Sequence, residues 1–198
     1  MVKEDIISFF DARAPQWDAK MVRNEAVIQK ILDYGGIREG IDVLDVGCGT
    51  GVLFRDYLTR GVCSVTAVDI SPEMAKIAAS KFPEESIRVL CGDMETLELH
   101  RRFDAAMVYN AFPHFLDPER LINVLAHHLK PGGRLSIAHG MSRSEVNAHH
   151  TGCARLVSVG LMPAPLLAQR MAPYFDVDVL ISDETMYQIS GVKRKQTE

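Results

Sequence analysis

Three groups of residues in this sequence have the types and spacing to do chemistry. The first is Val43-Leu-Asp-Val-Gly-Cys-Gly-Thr-Gly51, where Gly47, Gly49 and Gly51 alternate between an apolar β-rich run and a segment whose Leu53, Phe54, Tyr57 and Leu58 form a helical apolar face. Glycines between a strand and a helix let a ligand come close to the backbone and tolerate unusual dihedral angles. Their spacing narrows the ligand. A dinucleotide fingerprint needs a glycine at the sixth position from Gly47, which is Val52, and no Gly-Lys-Ser/Thr follows, so neither a dinucleotide nor a triphosphate loop is written here. Asp45 would repel a pyrophosphate but suits a ligand carrying an ammonium group. The second group is Asp69, 18 residues beyond Gly51 at the end of the next β-rich run, spaced to accept hydrogen bonds from two ribose hydroxyls.

The third group is the histidines, six of whose seven members fall between His114 and His150. An imidazole titrates near neutrality and can remove a proton from a substrate. His114 and His139 rank first as such catalytic groups, because each stands at a strand end, where open α/β sheets present their ligands. Arg143, Asn147, His149 and His150 form a candidate substrate-binding set on a helix opened by the capping-box spacing Ser142 to Glu145. His127 and His128 are placed at a helix C-terminus, where an imidazolium interacts favourably with the dipole.

The elements that must position these groups follow from hydrophobic pattern and punctuation. Five apolar runs, Ile41–Val46, Val65–Asp69, Ile87–Cys91, Ala105–Asn110 and Leu135–His139, read as parallel strands separated by helical segments. Val27, Ile28, Ile31 and Leu32 make an amphipathic helix ended by Gly35-Gly36; Ser71-Pro72 opens another, with Met74, Ile77 and Ala78 as its stripe. Asp117-Pro118 opens a helix carrying Leu121, Ile122, Leu125 and Leu129, and Lys130-Pro-Gly-Gly133 is expected to end it. Phe175–Ile181 and Met186–Val192 are too close for a crossover and must form an antiparallel hairpin.

Composition bounds the partners. The chain has 198 residues, 47% hydrophobic and 24% charged, which suits one globular core, and its formal charge of −4 disfavours a nucleic-acid or anionic-membrane surface. No apolar stretch reaches the roughly 18 residues of a membrane span, and the first residues lack a signal-peptide core, so a cytoplasmic protein is expected. Cys48, Cys63, Cys91 and Cys153 contain no Cys-x-x-Cys pair and are expected to be reduced, mostly buried thiols.

With these residues in place, Val43–Gly51 resembles motif I of the class I S-adenosylmethionine-dependent methyltransferases, and the likeness extends in register over residues 5–193. Ala-Val-Asp69-Ile70-Ser matches the ribose-binding acidic residue and the apolar residue against adenine. Cys91-Gly-Asp93-Met94 matches the loop that contacts the adenine amino group, Phe103–Asn110 the strand beside the methyl group, and Leu129–Leu135 the turn into the fifth strand. Phe10-Asp-Ala-Arg-Ala-Pro-Gln-Trp17-Asp18 resembles the lid of the quinone-biosynthesis-like (type 11/25) branch.

The resemblance implies an α/β, Rossmann-like three-layer sandwich whose seven-stranded, mostly parallel sheet has an antiparallel last strand and the order 3-2-1-4-5-7-6. It implies one methyltransferase domain over 1–198, with a helical lid at 1–24 and an insertion near the acceptor at 140–174. S-adenosylmethionine is the implied cofactor, held by Asp45, Gly47, Cys48, Gly49, Gly51, Asp69, Ile70, Asp93, Met94 and Asn110, with Trp17 on the acceptor side. The implied partner is a small-molecule acceptor, without nucleic acid or membrane; a homodimer is compatible with it. No Asn-Pro-Pro-Tyr type of sequence stands after the fourth strand, where Asn110-Ala-Phe-Pro is found instead, so base-amine methylation lacks its usual sign. No metal is assigned. Two alternatives stand beside this: a non-catalytic donor-binding sensor, and a methyltransferase acting on a metal-associated substrate held by the histidines.

Overall fold

The computed structural model describes residues 2–149 and 156–195, so His150 and Cys153 lie outside the described residues. Seven strands, β1 (Asp42–Val46), β2 (Ser64–Asp69), β3 (Ile87–Cys91), β4 (Phe103–Tyr109), β5 (Leu129–His139), β6 (Phe175–Ser182) and β7 (Tyr187–Lys193), form one sheet in the order β3-β2-β1-β4-β5-β7-β6. β1 to β5 pair in parallel, and β7 runs antiparallel between β5 and β6. Parallel neighbours require crossovers. They are supplied by α4 (Phe54–Thr59), α5 (Pro72–Lys81) and α6 (Pro118–His128).

Two apolar clusters lie on opposite faces of the sheet, as the period of 2 in strand side chains requires. Val43, Ala105 and Met107 pack on one face with α3 (Glu25–Tyr34) and α4, whereas Leu44, Ala106 and Val108 pack on the other with α6 and α8 (Ala164–Met171). The result is the expected three-layer sandwich. Its chain path leaves β1 outward to β3 and returns to β4 on the other side of β1, so the crevice beyond the carboxyl ends of β1 and β4 is a topological switch point.

Local signals worked where they were self-contained. Ser71 Oγ accepts from Met74 N at 3.2 Å and Asp117 Oδ1 from Arg120 N at 2.9 Å, capping α5 and α6. Ser142 and Glu145 exchange side-chain-to-backbone hydrogen bonds at the start of α7 (Arg143–His149), completing the capping box.

Four expectations are corrected. Met74 and Ala78 are buried in α5 as expected, but Ala75 is the third buried member and Ile77 is only half-buried. Lys130–Gly133 does not end a helix: α6 stops at His128, and these residues bulge within β5 opposite the single Asp104, between the pairs Phe103–Leu129 and Ala105–Arg134. Gly133 permits this, because a Cβ there would stand 3.1 Å from the carbonyl oxygens of Phe103 and Asp104. Cys63 and Cys91 are exposed; of the described cysteines only Cys48 is buried. His128 is no imidazolium at a dipole: its Nδ1–H donates to Val124 O at 2.9 Å and its Nε2 accepts from Leu99 N at 3.0 Å, the pattern of a neutral ring.

Candidate active site

The glycine loop is built onto the ends of β1 and β2. Gly47 N and Cys48 N both donate to Val68 O, at 2.8 and 3.2 Å, and Gly47 has φ +68°. A Cβ at Gly47 would lie 2.5 Å from that of Ala111, so the loop and the segment after β4 meet as closely as they do only because this residue is glycine. Asp69 ties the loop to β2. One carboxylate oxygen accepts from Gly49 N at 2.7 Å and the other from Ser71 N at 2.9 Å, leaving each oxygen further acceptor capacity. Burial raises the pKa of Asp69 even though these two N–H groups oppose the shift.

Asp69, Ile70, Asp93, Met94 and Asn110 line one cavity together with Gly47 and Gly49. Its roof is α1 (Lys3–Asp11), which sets Lys3, Ile6 and Phe10 on the same helical face toward it. The expected helical lid spans 1–24, but within it sequence reasoning singled out only Phe10–Asp18 and assigned no role to Lys3 or Ile6. Lys3 Nζ bridges Asp93 and Glu95, the latter at 2.8 Å. Although partial burial opposes it, these carboxylates hold the Lys3 ammonium above its ordinary pKa. Asp11 accepts from Ser71 Oγ at 2.5 Å, and Asp18 accepts from Thr50 Oγ1 at 2.5 Å and Lys81 Nζ at 2.6 Å, so the N-terminal segment is tied to the sheet at several points.

A second cavity shares Gly47, Gly49 and Asn110 with the first and adds Asp45, Cys48, Trp17, Arg23 and Tyr109. Asp45 is 2% exposed. Burial, reinforced by the like charge of Asp69, pushes its carboxyl up to about 7; the nearby Tyr57 hydroxyl opposes the rise. No basic side chain forms an ion pair with Asp45 among the described residues. Such a carboxylate is suited to an ammonium brought by a ligand. Cys48 is different: burial, then the charges of Asp69 and Asp45, raise its thiol well above the usual range, so it lines the loop without being a nucleophile. Asn110 holds a left-handed backbone with φ 54° and accepts from Gly140 N at 3.0 Å through Oδ1, joining the ends of β4 and β5 at the junction of the cavities.

This arrangement agrees with comparisons to known proteins. The family described as "Methyltransferase domain" matches residues 44–137, from the first strand through the fifth. Over these residues the chain is similar to a methyltransferase domain. Malonyl-[acyl-carrier protein] O-methyltransferase of Acetivibrio thermocellus is 31% identical over 142 residues, covering 70% of this chain and 50% of that protein. Ubiquinone biosynthesis O-methyltransferase of Xylella fastidiosa is 40% identical over 114 residues, covering 54% and 46%. The chain thus spans about half the length of the curated relatives it matches. The solved complex of DhpI with SAH has a TM-score of 0.77 at 21% identity and covers 98% of both chains, a likeness of fold.

Within this fold the histidines separate. His114 lies in the wall of the first cavity, its Nδ1 2.7 Å from Val157 O and its ring edge-to-face with Phe10 at 4.9 Å. His139 is 3% exposed, packs edge-to-face with Tyr187 at 6.2 Å and lines neither cavity. His149 is exposed at the end of α7. Arg143 and Asn147 hold backbone instead of lining either cavity. Arg143 Nε donates to Leu161 O at 2.8 Å, and Asn147 Oδ1 accepts from Leu161 N at 2.7 Å, pinning the segment after α7. Trp17, at the start of α2 (Trp17–Lys20), does line the second cavity and packs edge-to-face against Phe10 at 5.7 Å. Among the described residues no group of three or more His, Cys, Asp or Glu could hold a metal ion.

Proposed function

We propose that the methyltransferase domain transfers the methyl group of S-adenosylmethionine to a small-molecule acceptor. The observation that carries this reading is Asp45: a buried carboxylate without a basic partner, beside glycine loop backbone that a ligand can approach, at the switch point of the sheet. The donor's amino acid portion, with its ammonium, fits Asp45 and the Gly47–Gly51 backbone. Its ribose fits Asp69, whose oxygens keep acceptor capacity, and its adenine fits the apolar walls of Ile70 and Met94 beside Asp93.

The sulfonium supplies an already activated methyl group, so displacement by an acceptor lone pair in line with the breaking carbon–sulfur bond leaves a neutral thioether. The chain's work is then to align, exclude water and receive a proton. Asn110 and Gly47, shared by the two cavities, mark the junction where donor and acceptor would meet. Residues 1–24 act as the lid, and the 140–174 insertion closes the acceptor side through Val157, which supports His114.

His114 is assigned as the proton acceptor. A carbonyl only accepts, so the contact with Val157 O makes Nδ1 the protonated nitrogen and Nε2 the basic one. The acidic net charge supports a small acceptor over a polyanion, in a cytoplasmic setting, and a homodimer is compatible with the fold. The test is an acceptor screen with labelled donor followed by His114→Ala on the acceptor found. Turnover should fall by about 10²-fold or more while donor affinity stays within about threefold; unchanged turnover would remove the proton-transfer role.

A further inference from the structure

Among the described residues, polar ties hold the N-terminal segment down at Lys3 to Asp93 and Glu95, Asp11 to Ser71, Asp18 to Thr50 and Lys81, and Arg23 to Asp56. Only the first joins residues that all line the first cavity. Lys3 sits on the roof helix α1 and reaches across to the loop after β3, so its ammonium closes the cavity from above. Glu95 is a rigid anchor for that contact. It is 4% exposed, its Oε1 accepts from Asp117 N at 3.0 Å, and its carbonyl accepts from Arg120 Nε at 3.0 Å, which binds it to the start of α6. Asp93 is likewise fixed, accepting from Glu95 N at 3.0 Å. Ile6 and Phe10 continue the Lys3 face at helical spacing and cover the apolar wall, so the roof has one charged clasp at its outer end and an apolar body.

We propose that Lys3 is the latch of the donor site: its bridge to Asp93 and Glu95 holds α1 closed over the bound donor, and breaking it is the step that releases the demethylated product. This rests on the donor reading above and adds a residue that neither the glycine loop nor the acidic residues at the strand ends point to. The pair is partly solvated, Lys3 being 33% and Asp93 20% exposed at the side chain, so it is open to screening by salt and can break and reform. A donor's adenine amino group and the Lys3 ammonium are both donors to carboxylate, and two carboxylates offer enough acceptor sites to serve both at once. Closure and donor binding are therefore compatible.

The protein carries its own reporter. Trp17 is the only tryptophan, and it packs on Phe10 of α1. Stopped-flow fluorescence of Trp17 would follow displacement of S-adenosylhomocysteine from the unaltered protein, Lys3→Met and Lys3→Arg, each with any tag at the C-terminus. Lys3→Met should speed dissociation about tenfold, corresponding to about 1.4 kcal/mol of lost closure, and Lys3→Arg should restore most of it. Raising salt should speed dissociation from the unaltered protein and have much less effect on Lys3→Met, a response that a purely structural role would not produce. Unchanged dissociation in Lys3→Met, where the unaltered protein binds S-adenosylhomocysteine, overturns the latch alone. If the unaltered protein does not bind it in calorimetry, the donor reading and the latch fall together.

Discussion

Asp45 combines a structural liability with the binding role proposed for it. Its folded pKa of about 7 stands above the ordinary 3.8, so between those values the folded chain holds a proton that the unfolded chain has lost. Stability is therefore greatest below the lower value and falls as pH rises through the upper one, by about 4 kcal/mol at most. Asp45→Asn should make the ligand-free protein more resistant to urea than the unaltered protein above about pH 7, with the difference vanishing toward about pH 4. An ammonium ligand reverses the preference by stabilising the carboxylate. Donor affinity should accordingly rise from about pH 5 to about pH 7, and Asp45→Asn should bind more weakly with that slope gone; an identical slope in the variant would show that the ligand's charge meets some other group.

At the scale of elements, the strand–loop–helix unit depends on a close approach that side chains would prevent. Gly47→Ala asks a non-glycine residue to adopt φ +68° and to place its Cβ 2.5 Å from that of Ala111. The expected outcome is about 1–3 kcal/mol of lost stability with displacement of the loop carrying Asn110, seen as a lower melting temperature and at least tenfold weaker donor binding. A variant that melts and binds like the unaltered protein would mean that the contact relaxes without disturbing the site. Elements of this kind were readable from the sequence because their signals are local. Ser71, Asp117 and the Ser142–Glu145 pair announce helix starts within three or four residues, and Asp45, Asp69 and the glycines are spaced along one crossover. What α1 covers could not be read so: Lys3 and Ile6 share a face by helical periodicity, but no local pattern says which surface that face meets. Arg143 and Asn147 misled for the same reason. Polar side chains near a strand end look like ligand contacts until Leu161, 14 or more residues away, is seen to occupy them. His139 stands at the correct strand end, yet its burial against Tyr187 is a property of the β5–β7 pairing and becomes visible only in three dimensions.

At the scale of the whole molecule, strand order builds the crevice proposed to hold the donor. Because the chain leaves β1 in one direction and returns to β4 on the other side, the loops after β1, β2, β3 and β4 converge on one crevice, and the N-terminal helix closes over it. Apolar clusters on both faces hold that sheet, so the site rests on a packed framework. Binding at such a site should stabilise the entire fold by mass action, about 2.7 kcal/mol at a ligand concentration 100 times Kd. The measurement that bears most directly on the central claim is calorimetric titration of the unaltered protein and of Asp69→Ala with S-adenosylhomocysteine. The unaltered protein should bind one equivalent, and the variant, having lost a charged acceptor of the ribose hydroxyls, should bind about 10–100-fold more weakly. Equal affinity in the two proteins, or no binding to either, would contradict the assignment of this cavity to the methyl donor.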